Sequence, residues 1–120
     1  MRIAVSSEGQ DLSARVDPRF GRAKYFIVYD TVKESFEVVN NDQNLNAAQG
    51  AGIQSAQNVA RMEVDLVVSG NLGPKAFRAL SAAGIKTALW SEGTVSEAVE
   101  LARNNLLKLS DAANVGGHWM

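Results

Sequence analysis

One stretch limits what this chain can fold into: residues 65–78, Asp-Leu-Val-Val-Ser-Gly-Asn-Leu-Gly-Pro-Lys-Ala-Phe-Arg. An apolar run, Leu66 to Val68, gives way to a loop with glycines at 70 and 73, and Pro74 stands where a helix would begin. The fixed φ of proline suits the first helical turn, and its missing N–H costs nothing there. Strand, glycine loop and helix start are part of a βαβ unit, which requires an α/β layout with parallel pairing. The same junction turns backbone N–H groups outward under a helix dipole that favours an anion. Ser69, Gly70, Asn71, Leu72, Gly73 and Pro74 are therefore candidate binding residues, with the two glycines leaving the backbone approachable.

The remaining pattern extends this unit in both directions. Ile3 to Val5 is a short apolar strand, Tyr25 to Tyr29 a second and Phe36 to Val39 a third. The polar link Asp30 to Glu34 suits an antiparallel hairpin. Helical stripes follow at Ile53/Ala56/Ala60 with Val59 beside them, at Ala76/Phe77/Leu80/Ala83 closed by Gly84, and at Val95/Ala98/Val99/Ala102/Leu106. Thr94-Val-Ser-Glu97 is a capping box opening the third helix. A fifth strand spans Thr87 to Trp90. The expected fold is α/β: a five-stranded mixed sheet of order 3-2-1-4-5, strand 2 antiparallel, with three helices in three layers. Residues 1–106 read as a single domain and 107–120, polar and glycine-bearing, as a loose tail.

That strand order sets strands one and four side by side at the centre, with connections leaving in opposite directions. Ligands of open α/β sheets bind at such a switch point, beyond the carboxyl ends of the strands. Ser6, Ser7, the aperiodic segment 6–23 and Ser69 to Pro74 would line it. The long segment carries Arg15, Arg19 and Arg22, balanced by Glu8, Asp11 and Asp17. One reading is a solvated, internally paired loop. The other has Arg19 and Arg22, flanking Phe20-Gly21, folding over an anion, a task that suits the weakly hydrated planar guanidinium.

Other motifs exclude more than they assign. Gly50-Ala51-Gly52-Ile-Gln-Ser55 nearly matches a dinucleotide fingerprint, but a polar loop separates it from the preceding strand, so it reads as a glycine-marked helix entry that could touch a ligand. With 120 residues, 46% hydrophobic content, net charge −1 and no basic run, a nucleic-acid footprint is absent. The chain has no cysteine, which removes disulfides and thiolate-held metals from consideration. No apolar run approaches the ~20 residues that span a membrane. Met1 to Ser7 reads as a strand rather than a signal peptide, giving a cytoplasmic, monomeric protein as the expectation. Strands one and four lack the acidic residues of a two-metal nuclease, and the serines lack a nearby histidine base. His118 in the tail reads as solvated, with a metal-ligand role as the alternative, and Trp119 as an aromatic able to cover a binding mouth.

Taken together, several segments resemble one family closely. They are Met1-Arg-Ile-Ala-Val5, Val16-Asp-Pro-Arg-Phe-Gly-Arg22, Gly50-Ala-Gly-Ile-Gln54, Ser69-Gly-Asn-Leu-Gly-Pro-Lys-Ala-Phe77, Ser81-Ala-Ala-Gly-Ile-Lys86 and Gly93-Thr-Val-Ser-Glu-Ala98. They are similar, in the same order, to the dinitrogenase iron-molybdenum cofactor biosynthesis proteins, small carriers with a ribonuclease-H-like motif. The absence of Cys and the Asn114-to-Trp119 tail look most like the orange-protein branch from sulfate-reducing bacteria. That resemblance implies non-covalent carriage of a molybdenum–copper sulfide cluster, without enzymatic activity, and with a cluster-assembly or acceptor protein as partner. Several family members place a His or Cys where this chain has Gln49-Gly-Ala-Gly52, so the resemblance implies an anionic cluster bringing its own sulfides. An iron-molybdenum cofactor or its precursor is the alternative cargo. A small enzyme acting on an anionic metabolite and a peptide-docking module are the alternative functions.

Overall fold

The computed structural model describes residues 1–41 and 51–110. Strands β1 (Arg2–Ser7), β2 (Tyr25–Asp30) and β3 (Ser35–Asn40) are followed by α1 (Ala51–Ala60), β4 (Leu66–Ser69), α2 (Pro74–Ala82), β5 (Lys86–Leu89) and α3 (Val95–Arg103). The sheet has the order β3-β2-β1-β4-β5. β2 runs antiparallel to both neighbours, while β1, β4 and β5 are parallel. This is the mixed sheet that the alternation of strands and helices requires.

Two-residue alternation divides the central strands between two cores. Ala4, Phe26, Val28 and Val67 face α1 and α2, where Ala56, Val59, Ala76 and Leu80 pack. Ile3, Val5, Ile27, Leu66, Val68 and Ala88 face α3, which buries Val95, Ala98, Val99 and Ala102. The result is three layers. Because α1 and α2 both follow strands pointing the same way, their N-termini lie at one end of the sheet. Among the described residues no helix is long and apolar enough to cross a membrane.

Helix boundaries follow their caps. The Thr94–Glu97 capping box forms as expected. At the end of α2, the Ile85 N–H donates to the Leu80 carbonyl at 2.9 Å and Gly84, at φ 76, donates to Ser81 at 3.0 Å. This pairing needs a left-handed residue, which glycine supplies without steric cost. The same device ends α3 one turn earlier than its apolar spacing suggests. Asn105 takes φ 58 and the Leu106 N–H returns to the Leu101 carbonyl at 2.9 Å, so Leu106 is 69% exposed rather than part of the stripe. In α1 the buried stripe is Ala51, Ser55, Ala56 and Val59, with Ile53 only half-buried.

The two sheet edges differ. Leu109 bridges antiparallel to Ala88, and the Ser110 N–H donates to the Thr87 carbonyl at 2.7 Å, so residues 107–110 cross the outer side of β5. β3, at the opposite edge, is largely exposed.

Candidate functional site

The long segment after β1 is tied down along its length, burying Val16, Asp17, Phe20 and Ala23 while Glu8, Arg15 and Arg19 stay exposed. Val16 bridges Ser7, Arg15 bridges Thr94 and Arg19 bridges Asn71. The Asp17 N–H donates to the Ser6 carbonyl at 2.8 Å, Val16 N–H to Gly93 at 3.0 Å, and Asn71 Nδ2 to the Pro18 carbonyl at 3.0 Å. Phe20, 1% exposed, packs its ring 5.1 Å from that of Phe26. The segment therefore fills the β1/β4 switch point. Ser6 Oγ donates to the Asp17 carbonyl at 2.6 Å and is hydrogen-bonded to Ser69 Oγ at 2.8 Å, with all three residues buried. Gly70 serves this closure. A Cβ there would sit 2.8 Å from Pro18 Cα and 2.5 Å from Ser91 Oγ.

Asp17 also fixes one of the candidate arginines. Its carboxylate accepts from Arg19 N at 2.9 Å, Nε at 3.2 Å and Nη2 at 3.3 Å. That hydrogen-bonded fork raises the Arg19 guanidinium above its ordinary value. The Arg19 side chain remains 65% exposed. Its charge is thus already answered by a carboxylate within the same loop.

Open space lies one layer away, between the N-termini of α1 and α2. A cavity of about 360 Å³ is walled by Gly21 and Arg22, by Ala51 and Gly52, and by Gly73, Pro74, Lys75 and Ala76. Glycines allow the three segments to meet. A Cβ on Gly21 would lie 3.0 Å from Gly52 N, and one on Gly52 would lie 3.1 Å from Ala76 Cβ. A buried polar network holds the arrangement from behind. Asn41 Nδ2 donates to the Ala23 carbonyl at 2.8 Å and to Ser55 Oγ at 3.0 Å, and Ser55 Oγ lies 3.3 Å from the Gly21 carbonyl oxygen.

The electrostatics of this cavity favour an anion. Neither helix has an acidic residue in its first turn. Gly73 is an extended N-cap with no side-chain cap, so among the described residues no capping side chain takes up the amides of the first turn of α2. Two helix dipoles converge with Arg22 and Lys75 on one space. Among the described residues no group of three His, Cys, Asp or Glu could hold a metal ion. What the cavity offers is backbone donors, cations and small apolar contacts. A larger cavity of about 510 Å³, lined by Met1, Asp65, Leu66 and Leu107 among others, lies at the opposite end of the sheet, away from both helix N-termini.

Of the candidate residues, Gly21, Arg22, Ala51, Gly52, Gly73 and Pro74 meet around this one cavity. Ser6, Phe20, Ser69 and Leu72 are buried behind it. Asn71 pins Pro18, Gly70 lies against Pro18 and Ser91, and Arg15 pairs with the segment before α3. Gly50, His118 and Trp119 fall outside the described residues. Lys75 and Ala76 were not among the candidates. Their signal was Pro74, which marks the next two residues as first-turn amides.

Comparison with known proteins agrees with this architecture. The apo form of the orange protein from Desulfovibrio gigas has a TM-score of 0.93 and 40% identity, with 95% of this chain and 96% of that one covered. The NMR structure of a NifB-like protein from Thermotoga gives a TM-score of 0.78 and 39% identity over 89% and 90% of the two chains. An uncharacterized protein of Methanocaldococcus jannaschii is 30% identical over 105 residues, 84% of each chain. The family model described as dinitrogenase iron-molybdenum cofactor matches residues 1–105, and the chain belongs to that family.

Proposed function

We propose that this chain carries a preformed anionic molybdenum–copper sulfide cluster, held without covalent bonds in the cavity between α1 and α2, and catalyses no reaction. The observation that carries this reading is the convergence of two carboxylate-free helix N-termini with Arg22 and Lys75 around about 360 Å³. First-turn amides of α2 would donate to the cluster sulfides, the two cations would balance their charge, and Gly21, Gly52 and Ala76 would supply close contacts. With no cysteine in the chain, no protein thiolate can enter the metal's inner shell, and in this reading the cluster's own sulfides fill it. Residues 1–106 form the binding unit in this reading and 107–120 its tail. The protein works as a cytoplasmic monomer that passes the cluster to an acceptor protein. The family description favours a second cargo, the iron-molybdenum cofactor or its precursor, which would use the same donors.

The test is reconstitution of the apo-protein with tetrathiomolybdate and copper(I). Strong visible absorption should appear and persist through gel filtration, with amide shifts at residues 21–22, 51–52, 73, 75 and 76. X-ray absorption showing metal bound mainly to protein nitrogen or oxygen would overturn the proposal. So would shifts confined to the 510 Å³ cavity at the other end of the sheet.

A further inference from the structure

Thr87, on β5, is 2% exposed, and among the described residues its Oγ1 has no hydrogen-bond partner. Native folds leave few buried hydroxyls in this state, because the group has given up water and gained nothing in return. The main chain of Thr87 is occupied, its carbonyl accepting from the Ser110 N–H at 2.7 Å. Ala88, the next residue, packs under α3, so strand alternation turns the Thr87 side chain toward α2. A slot of about 390 Å³ lies on that side. Phe77 and Ser81, one turn apart on α2, line one wall, and Leu109 and Ser110 the other. The buried Ile85 and Thr87 stand at its base.

The chemistry of the slot defines its ligand. Phe77, Ile85 and Leu109 offer one aromatic ring and two branched aliphatic chains, with Leu109 47% exposed at the mouth. An aromatic body uses such walls best, because ring contact with Phe77 adds to the area it buries. The volume is far above the ~30 Å³ share of one water molecule in the liquid. A threonine hydroxyl both donates and accepts. A single hydroxyl does not offset the burial of an ionised group, so the ligand head at Thr87 is neutral. Of the described lining residues only Lys86 is charged; it is exposed, and alternation starts its side chain on the other face of β5. We infer that this slot binds a small neutral aromatic molecule bearing one hydroxyl, which pairs with Thr87 Oγ1 while the ring lies between Phe77 and Leu109. Among the described residues the slot shares no lining with the α1/α2 cavity, and it does not depend on the cargo proposed there.

Phenol is the probe, titrated into the ¹⁵N-labelled full chain with toluene and benzoate as controls. It should shift the amides of Phe77, Ser81, Ile85, Thr87, Leu109 and Ser110. Toluene, matched in shape but without the hydroxyl, should bind at least about threefold more weakly. Benzoate, which is charged, should bind at least roughly tenfold more weakly. Thr87→Val keeps the shape and removes the unpartnered group. Its urea midpoint should equal or exceed the parent's, and phenol and toluene should bind it alike. Thr87→Ser should keep the preference for phenol. Equal binding of phenol to the parent and of either control, a preference that survives in Thr87→Val, a lowered midpoint for that variant, or absence of shifts at these six residues would each overturn the inference.

Discussion

The C-terminal end of the sheet offers two places suited to an anion, and the chain treats them in opposite ways. Between β1 and β4, the topological switch point is filled from within: Asp17 lies against Ser6, Pro18 against Gly70, and Arg19 is held by Asp17. Between the N-termini of α1 and α2, glycines at 21 and 52 bring backbone segments close yet leave about 360 Å³ open, with no acidic side chain in either first turn. The rule that ligands sit at the switch point is thus obeyed only approximately. A long loop can occupy that crevice itself and shift the open site by one layer, onto the helix face. Glycine has a different meaning in each place: at 70 it admits the chain's own proline, and at 52 it admits a neighbouring helix.

Four variants would break or sharpen this contrast. The largest effect belongs to Gly70→Val, whose new side chain meets the Pro18 backbone; overpacking of this kind should cost about 3 kcal/mol, read as a lowered urea midpoint. An unchanged midpoint would mean that the loop does not fill the switch point. Next, Arg22→Ala combined with Lys75→Ala should weaken cluster retention by about two orders of magnitude, since each charge-assisted contact contributes about 1.5–3 kcal/mol. The urea midpoint of that double variant should fall far less than that of Gly70→Val.

Arg19→Ala provides the counterpart on the filled side. Its guanidinium is exposed and paired with Asp17, so retention should change by no more than about fivefold. A loss equal to that of the double variant would move the site back to the switch point. The smallest stability change is expected from Gly52→Ala. Helix propensity gains up to about 1 kcal/mol, while the new Cβ presses on Ala76 at 3.1 Å. The two should nearly cancel in a thermal melt, with a measurable fall in cluster retention because the cavity wall moves inward.

Much of the fold was legible because its signals are local or periodic. The apolar strands, the Thr94–Glu97 box and the Gly84 cap each declare themselves within a few residues, and strand order follows from their alternation. Three features were not legible, for definable reasons. Segment 8–23 has no periodicity because it is held by isolated bridges to residues distant in sequence, Thr94 and Asn71 among them. The apolar spacing of α3 runs on to Leu106, but the left-handed Asn105 ends the helix first. In α1 the spacing offers Ile53, whereas the buried polar contact of Ser55 with Asn41 turns the helix so that Ser55 faces inward. For the candidate site, the residue types were readable while their division between filled crevice and open cavity was not. That division depends on which backbone segments touch, and no short motif encodes it.

The cavity wall is assembled from three stretches of chain, 21–22, 51–52 and 73–76, that meet only when the whole sheet is formed. Any anion captured there is therefore linked to the folding equilibrium. A ligand at a hundredfold excess over its Kd would add about 2.7 kcal/mol to global stability. The reverse also holds: an acceptor that pried apart either helix N-terminus would lower affinity without touching the anion, making loading and unloading mechanical as well as chemical events.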